Sequence, residues 1–144
     1  MALPRWTGLL GLIFALTAVA QNSAYKQDQK WAAPPEAAAK QNPVGSSPEA
    51  VAGGKKIYLR SCAECHNEDG SGLDNAANLT LPVVQKESDG ELFWKISNGN
   101  VRRGMPAFSR IPEPQRWQIV SFLKTLKTTE SLPAGESPTS KPKQ

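Results

Sequence analysis

Both cysteines of the chain and its single histidine fall within five consecutive positions, Cys62-Ala63-Glu64-Cys65-His66. In this pattern two thiols can add across the two vinyl groups of a haem, while the adjacent imidazole takes one axial position on the iron. The two intervening residues space the sulfurs to reach neighbouring edges of one porphyrin. Other chemistries use the same residue types. A disulfide between Cys62 and Cys65 closes a very short loop and leaves His66 without a role. A thioredoxin-like redox pair belongs in a βαβ setting, and no strand is legible around it. A structural zinc site needs four ligands, where this chain offers two Cys and one His. Only the haem reading uses all three residues.

Iron held in this way has a second axial position. With Met1 removed by processing, Met105 is the only soft ligand left in the mature chain. Its neighbours suit the task, since Gly104 permits close backbone approach and Pro106 stiffens the loop that presents the sulfur. The candidate cofactor-binding residues are therefore Cys62, Cys65, His66 and Met105, with His66 and Met105 as the candidate iron ligands and one covalent haem c as the cofactor. In the competing reading Met105 is an ordinary loop methionine, and the open sixth position belongs to a gas-binding, sensing or peroxidase-like protein. No further His is present for acid–base work and no Ser/His/Asp set is visible, so neither an enzyme nor a small-molecule substrate is expected.

These residues must be positioned by helices. Ser47-Pro48-Glu49 has the form of a helix start, with an N-cap Ser, Pro at the first helical position and an acid in the first turn. The helix is expected to run to about Ser61, delivering the chain into the Cys62–His66 motif. Ala50, Gly54, Ile57 and Tyr58 share one face, while Lys55, Lys56 and Arg60 point elsewhere. Gly53-Gly54 weakens this helix by about 1 kcal/mol per Gly relative to Ala, which a close approach by another helix would explain. Asn67 to Glu87 reads as loop. Ser88-Asp89-Gly90-Glu91 matches a capping box, opening a second helix that Gly99 stops. A third begins near Glu113-Pro114 and carries Trp117, Ile119, Val120, Phe122, Leu123 and Leu126.

The 144 residues thus divide into four stretches. Residues 1–20 have a short positive start, an apolar run from Trp6 to Leu16 and the small-x-small pattern Ala18-Val19-Ala20, which predicts a signal peptide and export. The alternative is an uncleaved anchor, although the run is shorter than the roughly 20 residues that span a bilayer. Residues 21–47 form an Ala/Pro-rich linker or arm in which Trp31 either docks or dangles. Residues 48–127 form the haem domain, and 128–144 a Thr/Ser/Pro/Lys-rich disordered tail. The overall charge of +4 shrinks within 48–127 to eleven Lys or Arg against nine Asp or Glu, a net of +2 with no basic block. Nucleic acid, which calls for a clustered basic face, is not an expected partner. A domain of about 80 residues buries only about 60% of its unfolded surface, so a bound haem would supply missing core.

Three stretches together, Gly54-Lys55-Lys56-Ile57-Tyr58 through His66, Met105-Pro106-Ala107-Phe108, and Trp117-Gln118-Ile119-Val120-Ser121-Phe122-Leu123, resemble the class I c-type cytochromes over about 80 residues. The resemblance implies a small all-α cytochrome c fold, about three main helices with long loops wrapped round one haem. It also implies that the N- and C-terminal helices cross beside the haem through Gly54, Tyr58, Ile119 and Phe122, and that Gly70 and Gly72 form the turn after the haem motif. The chain departs from the family at Ala76-Ala77-Asn78-Leu79, where many members carry a Pro whose carbonyl accepts from the haem-ligating ring. The Ala77 carbonyl can serve instead, since the acceptor is main chain. The expected function is one-electron transfer between redox protein partners in an exported respiratory or oxidative chain. A haem c subunit of a larger membrane redox complex is the alternative.

Overall fold

The computed structural model describes residue 28 and residues 30–126; the signal peptide expected at 1–20 and the tail expected at 128–144 lie outside the described residues. The helices are α1 (Pro35–Ala38), α2 (Pro48–Ser61), α3 (Ala63–His66), α4 (Pro82–Gln85), α5 (Asp89–Asn98) and α6 (Glu113–Leu123). A 3-10 turn at Val101–Arg103 lies between the last two. No strand occurs among the described residues, and an isolated antiparallel bridge joins Asn100 to Met105. The fold is all-α, as expected from the sequence.

Local chemistry sets the helix starts. Ser47 Oγ accepts from Ala50 N at 3.2 Å with Pro48 next in line, so α2 begins where an orphan N–H finds a side-chain partner. At α5 the capping box is complete: Glu91 N donates to Ser88 Oγ at 3.1 Å, and Ser88 N donates to the Glu91 carboxylate at 2.6 Å. α6 buries Trp117, Ile119, Val120, Ser121, Phe122 and Leu123. A helix buried around so much of its circumference must be covered on several sides. Here α2 packs on one side, α5 on another, and residues 42–45 on a third.

The α2–α6 crossing is the tightest helix contact. A Cβ built on Gly54 would lie 1.9 Å from the Gln118 carbonyl oxygen, so only glycine allows the two backbones to come this close. One turn on, the rings of Tyr58 and Phe122 meet at 5.0 Å between centroids, tilted by 54°. Phe93 of α5 stacks on Trp117 of α6 at 3.9 Å. Tyr58, Ile119 and Val120 are fully buried at this centre. α6 ends at Leu123, a turn earlier than its apolar pattern, and Leu126 packs against the core from the turn beyond.

Residues 30–47 run along the outside of α5 and α6 as a strap. Ser88 Oγ donates to the Ala38 carbonyl at 2.7 Å, and Asn42 Nδ2 donates to Trp117 O at 3.3 Å and to Ser121 Oγ at 2.9 Å. Trp31 is docked, its indole Nε1 donating to the Gly99 carbonyl at 2.9 Å.

Candidate functional site

α2 delivers the chain directly into the motif. Cys62 is the C-cap of α2, its N–H donating to Tyr58 O, and α3 carries Cys65 and His66 one turn further. Both cysteines are free thiols, Cys62 half-buried and Cys65 exposed. The buried Tyr58 hydroxyl donates to Asn67 O at 2.6 Å, tying the crossing helix to the residue that follows His66. Asn67 turns the chain with a positive φ of 60°, and its amide donates to Ser71 Oγ and to the Gly72 carbonyl.

This turn fixes the imidazole. Gly72, at φ +78°, lies so near the Ala76 and Ala77 carbonyls that a Cβ there would sit 2.6 and 2.8 Å from their oxygens. The loop is thereby folded back on itself, and Ala77 O stands 2.9 Å from His66 Nδ1. A carbonyl can only accept, so Nδ1 must carry the hydrogen and Nε2 keeps its lone pair. Burial lowers the His66 pKa, and the Ala77 hydrogen bond only partly opposes it, so the ring is held neutral and able to act as a ligand. The Cys62 thiol is pushed up to about 11 by burial and by neighbouring Cys65. Unlike a low-pKa redox thiol, it is kept in the protonated form.

Met105 arrives from the other end of the domain. After α5 stops at Gly99, Asn100 and Met105 pair through their backbones in both directions, at 2.8 and 3.0 Å, closing a small hairpin over the 3-10 turn. Phe108 N donates to Ile96 O at 3.1 Å, anchoring the chain beyond. Met105 is half-buried.

Cys62, Cys65, His66 and Met105 line a single cavity of about 480 Å³. Its remaining walls are mostly apolar, with Leu73, Val84, Leu92, Ile96, Phe108 and Leu123 among them. The volume is that of a site for a sizeable organic molecule. Lys95 and Glu87 also line it, forming an ion pair whose side chains are 12% and 10% exposed, with Lys95 Nζ 5.1 Å from the centre of the Trp31 ring. The apolar wall residues and Trp31 carry no sequence signature of a site: Val84, Leu92, Ile96, Phe108 and Leu123 read as ordinary core positions, Leu73 is an exposed loop residue and Trp31 stands alone on the strap. The donor set suits haem c: two thiols, one neutral imidazole with a free nitrogen and one thioether around a mostly apolar cavity. Among the described residues no cluster of three or more His, Cys, Asp or Glu is placed to hold a metal ion.

Comparison with known proteins reaches the same chemistry. The family described as "Cytochrome C oxidase, cbb3-type, subunit III" matches residues 49–123, more than half of the chain. A protein of Corynebacterium diphtheriae named "Cytochrome bc1 complex cytochrome c subunit" is 28% identical over 89 residues, 60% of this chain and 31% of that protein. The chain thus spans about a third of the length of this curated relative. The matched region runs from the first turn of α2 to the last residue of α6 and includes every residue named above for the cavity except Trp31. The cofactor of such a domain is a covalently bound haem c with its iron, and its work is electron transfer. The chain belongs to the c-type cytochromes, in the family of the cbb3-type subunit III.

Proposed function

We propose that this chain is an exported one-electron carrier in which Cys62 and Cys65 supply the two thioether sulfurs to haem c, and His66 and Met105 are the axial iron ligands. The reading is carried by one observation: the Cys62–His66 segment and the Met105 hairpin, 39 residues further along, open onto the same apolar cavity. When bound, the haem supplies one-electron oxidation and reduction of its iron.

Each residue then has a defined task. His66 offers Nε2 while Ala77 O holds Nδ1, so the ring cannot rotate away from the iron without breaking a hydrogen bond. Met105 offers a soft thioether, which together with His raises the reduction potential. A haem held by both His66 and Met105 would offer no position to an external molecule, which favours a carrier over a gas sensor or a peroxidase. Leu92, Ile96 and Leu123 exclude water and keep the surroundings of the iron at low dielectric. Cys65 stands exposed, bringing one attachment point to the surface where a redox protein can take up or deliver the electron.

The haem domain in this reading is residues 48–127. Export rests on the sequence of residues 1–20. Among the described residues no helix is long and apolar enough to cross a membrane. A second reading, service as the haem subunit of a membrane redox complex, is favoured by the relative's name. Purification from membranes in mild detergent separates the two, since a free carrier leaves in the soluble fraction and a subunit stays with its complex. The primary test is mass spectrometry of mature protein made with a haem-maturation system. One haem added to the peptide containing Cys62 and Cys65, and resistant to acid–acetone extraction, is expected. Two unmodified thiols would overturn the proposal.

A further inference from the structure

We infer that Trp31, on the strap outside the matched domain, is a positioning residue for Met105; this rests on the reading of Met105 as an iron ligand. Trp31 lines the cavity and donates its single indole N–H to the carbonyl of Gly99 at 2.9 Å. Gly99 is the joint between α5 and the methionine hairpin. It is buried, at φ +64°, and a Cβ on it would lie 2.4 Å from the carbonyl of Pro106, the residue after Met105. The next residue, Asn100, makes both backbone bonds to Met105. A continuous series of direct contacts therefore runs from the indole through Gly99 and Asn100 to the backbone that carries the sulfur.

The indole is itself held from several directions. The main-chain N–H of Trp31 donates to Asp28 O at 2.9 Å, and Lys95, fixed by Glu87, lies over the ring face. Behind it, the bond from Ser88 to Ala38 and those from Asn42 to α6 fasten the strap. A donor placed so firmly restrains its acceptor, so the Gly99 carbonyl, and with it the root of the hairpin, is pinned. The ring also forms part of the cavity wall. Losing it frees the hairpin, shortens the lifetime of the iron–sulfur contact and raises the polarity beside the iron. The strap is thus part of the ligand-holding apparatus, although it lies outside the stretch that resembles other cytochromes.

The test uses ferrous holoprotein and measures the rate of carbon monoxide binding, which a methionine-ligated iron admits only when the sulfur leaves. Trp31→Phe keeps an aromatic ring and removes the N–H. The rate is expected to rise about fivefold, which corresponds to about 1 kcal/mol, the typical net worth of one hydrogen bond. The reduction potential is expected to fall. Ile57→Val trims a buried core side chain of α2 that does not line the cavity and serves as the comparison, with a lower unfolding midpoint and an unchanged carbon monoxide rate. If the unmodified protein binds slowly and Trp31→Phe does too, Trp31 does not position the ligand. Equal acceleration in both variants, in step with lost stability, would also overturn the inference by reducing Trp31 to a general structural role. Rapid binding by the unmodified protein would overturn the Met105 reading and this inference with it.

Discussion

Gly53 and Gly54 are neighbours in α2 with the same intrinsic propensity, yet alanine is expected to have opposite effects at the two positions. At Gly54 the added Cβ would sit 1.9 Å from Gln118 O, 2.5 Å from its carbonyl carbon and 3.0 Å from Phe122 Cβ. Ordinary contact begins at 3.4 Å, so the backbone of α6 would have to retreat by about 1.5 Å. A backbone inside a helix cannot rotate out of the way, as a side chain can. Overpacking of this kind costs about 1–3 kcal/mol or more. Loosening the Tyr58–Phe122 ring pair adds about 1 kcal/mol, and better helix propensity returns about 1 kcal/mol. The net expectation for Gly54→Ala is a loss of about 3 kcal/mol, or a fall in melting temperature of about 12–24 °C for a domain of this size. At Gly53 the Cβ meets only the terminal amide of the Gln118 side chain, at 3.0–3.1 Å, and that group can swing aside. Gly53→Ala is expected to be neutral or stabilising by up to about 1 kcal/mol. Denaturant unfolding of both holoproteins, followed by helical circular dichroism, supplies the comparison. Midpoints for the two variants that agree within about 0.5 kcal/mol would refute the tight crossing.

Two other substitutions test the cofactor's structural part and a strap anchor. Cys62→Ala/Cys65→Ala, prepared free of haem, is expected to lose most of its helical circular dichroism and its cooperative unfolding. A rigid, dry cavity of about 480 Å³ would cost roughly 24 cal/mol per Å³, about 12 kcal/mol and thus as much as a whole domain's stability. Retention of a sharp unfolding transition by that apoprotein would contradict this. Ser88→Ala removes both the α5 cap and the donor to Ala38 O, for an expected loss of about 1–2 kcal/mol by chemical denaturation.

The elements that announce themselves locally were legible in the sequence. Ser47-Pro48-Glu49 and Ser88 with Glu91 are start signals made of adjacent residues, and α2 and α5 begin where those signals stand. Gly54 was legible as a close approach, but its partner was not. The atom it faces is the backbone of Gln118, and a main-chain contact leaves no trace in residue type. Ala77 as the acceptor for His66 and Gly72 as a turn residue came only through the family resemblance, and the structure bears both out; their contacts are with main-chain atoms, so residue type alone did not point to them. α4 is a single turn, too short to show a period, and falls within the stretch read as loop. The course of the strap depends on isolated long-range bonds from Trp31, Asn42 and Ser88. Such bonds have no periodicity, so composition alone leaves a docked Trp31 and a dangling one equally plausible. At the candidate site, the four residues that stood out in the sequence share one cavity, whereas the apolar walls look like any other core positions.

The ligand pair His66 and Met105 is tested most directly by the far-red absorption spectrum of the oxidised holoprotein, recorded alongside Met105→Ala. The unmodified protein is expected to show the weak methionine-to-iron charge-transfer band. Met105→Ala is expected to lack it while keeping its covalently attached haem, because the bonds from Cys62 and Cys65 do not depend on that hairpin. A spectrum without the band in the unmodified protein, or one in which the band survives Met105→Ala, would contradict methionine ligation at this site.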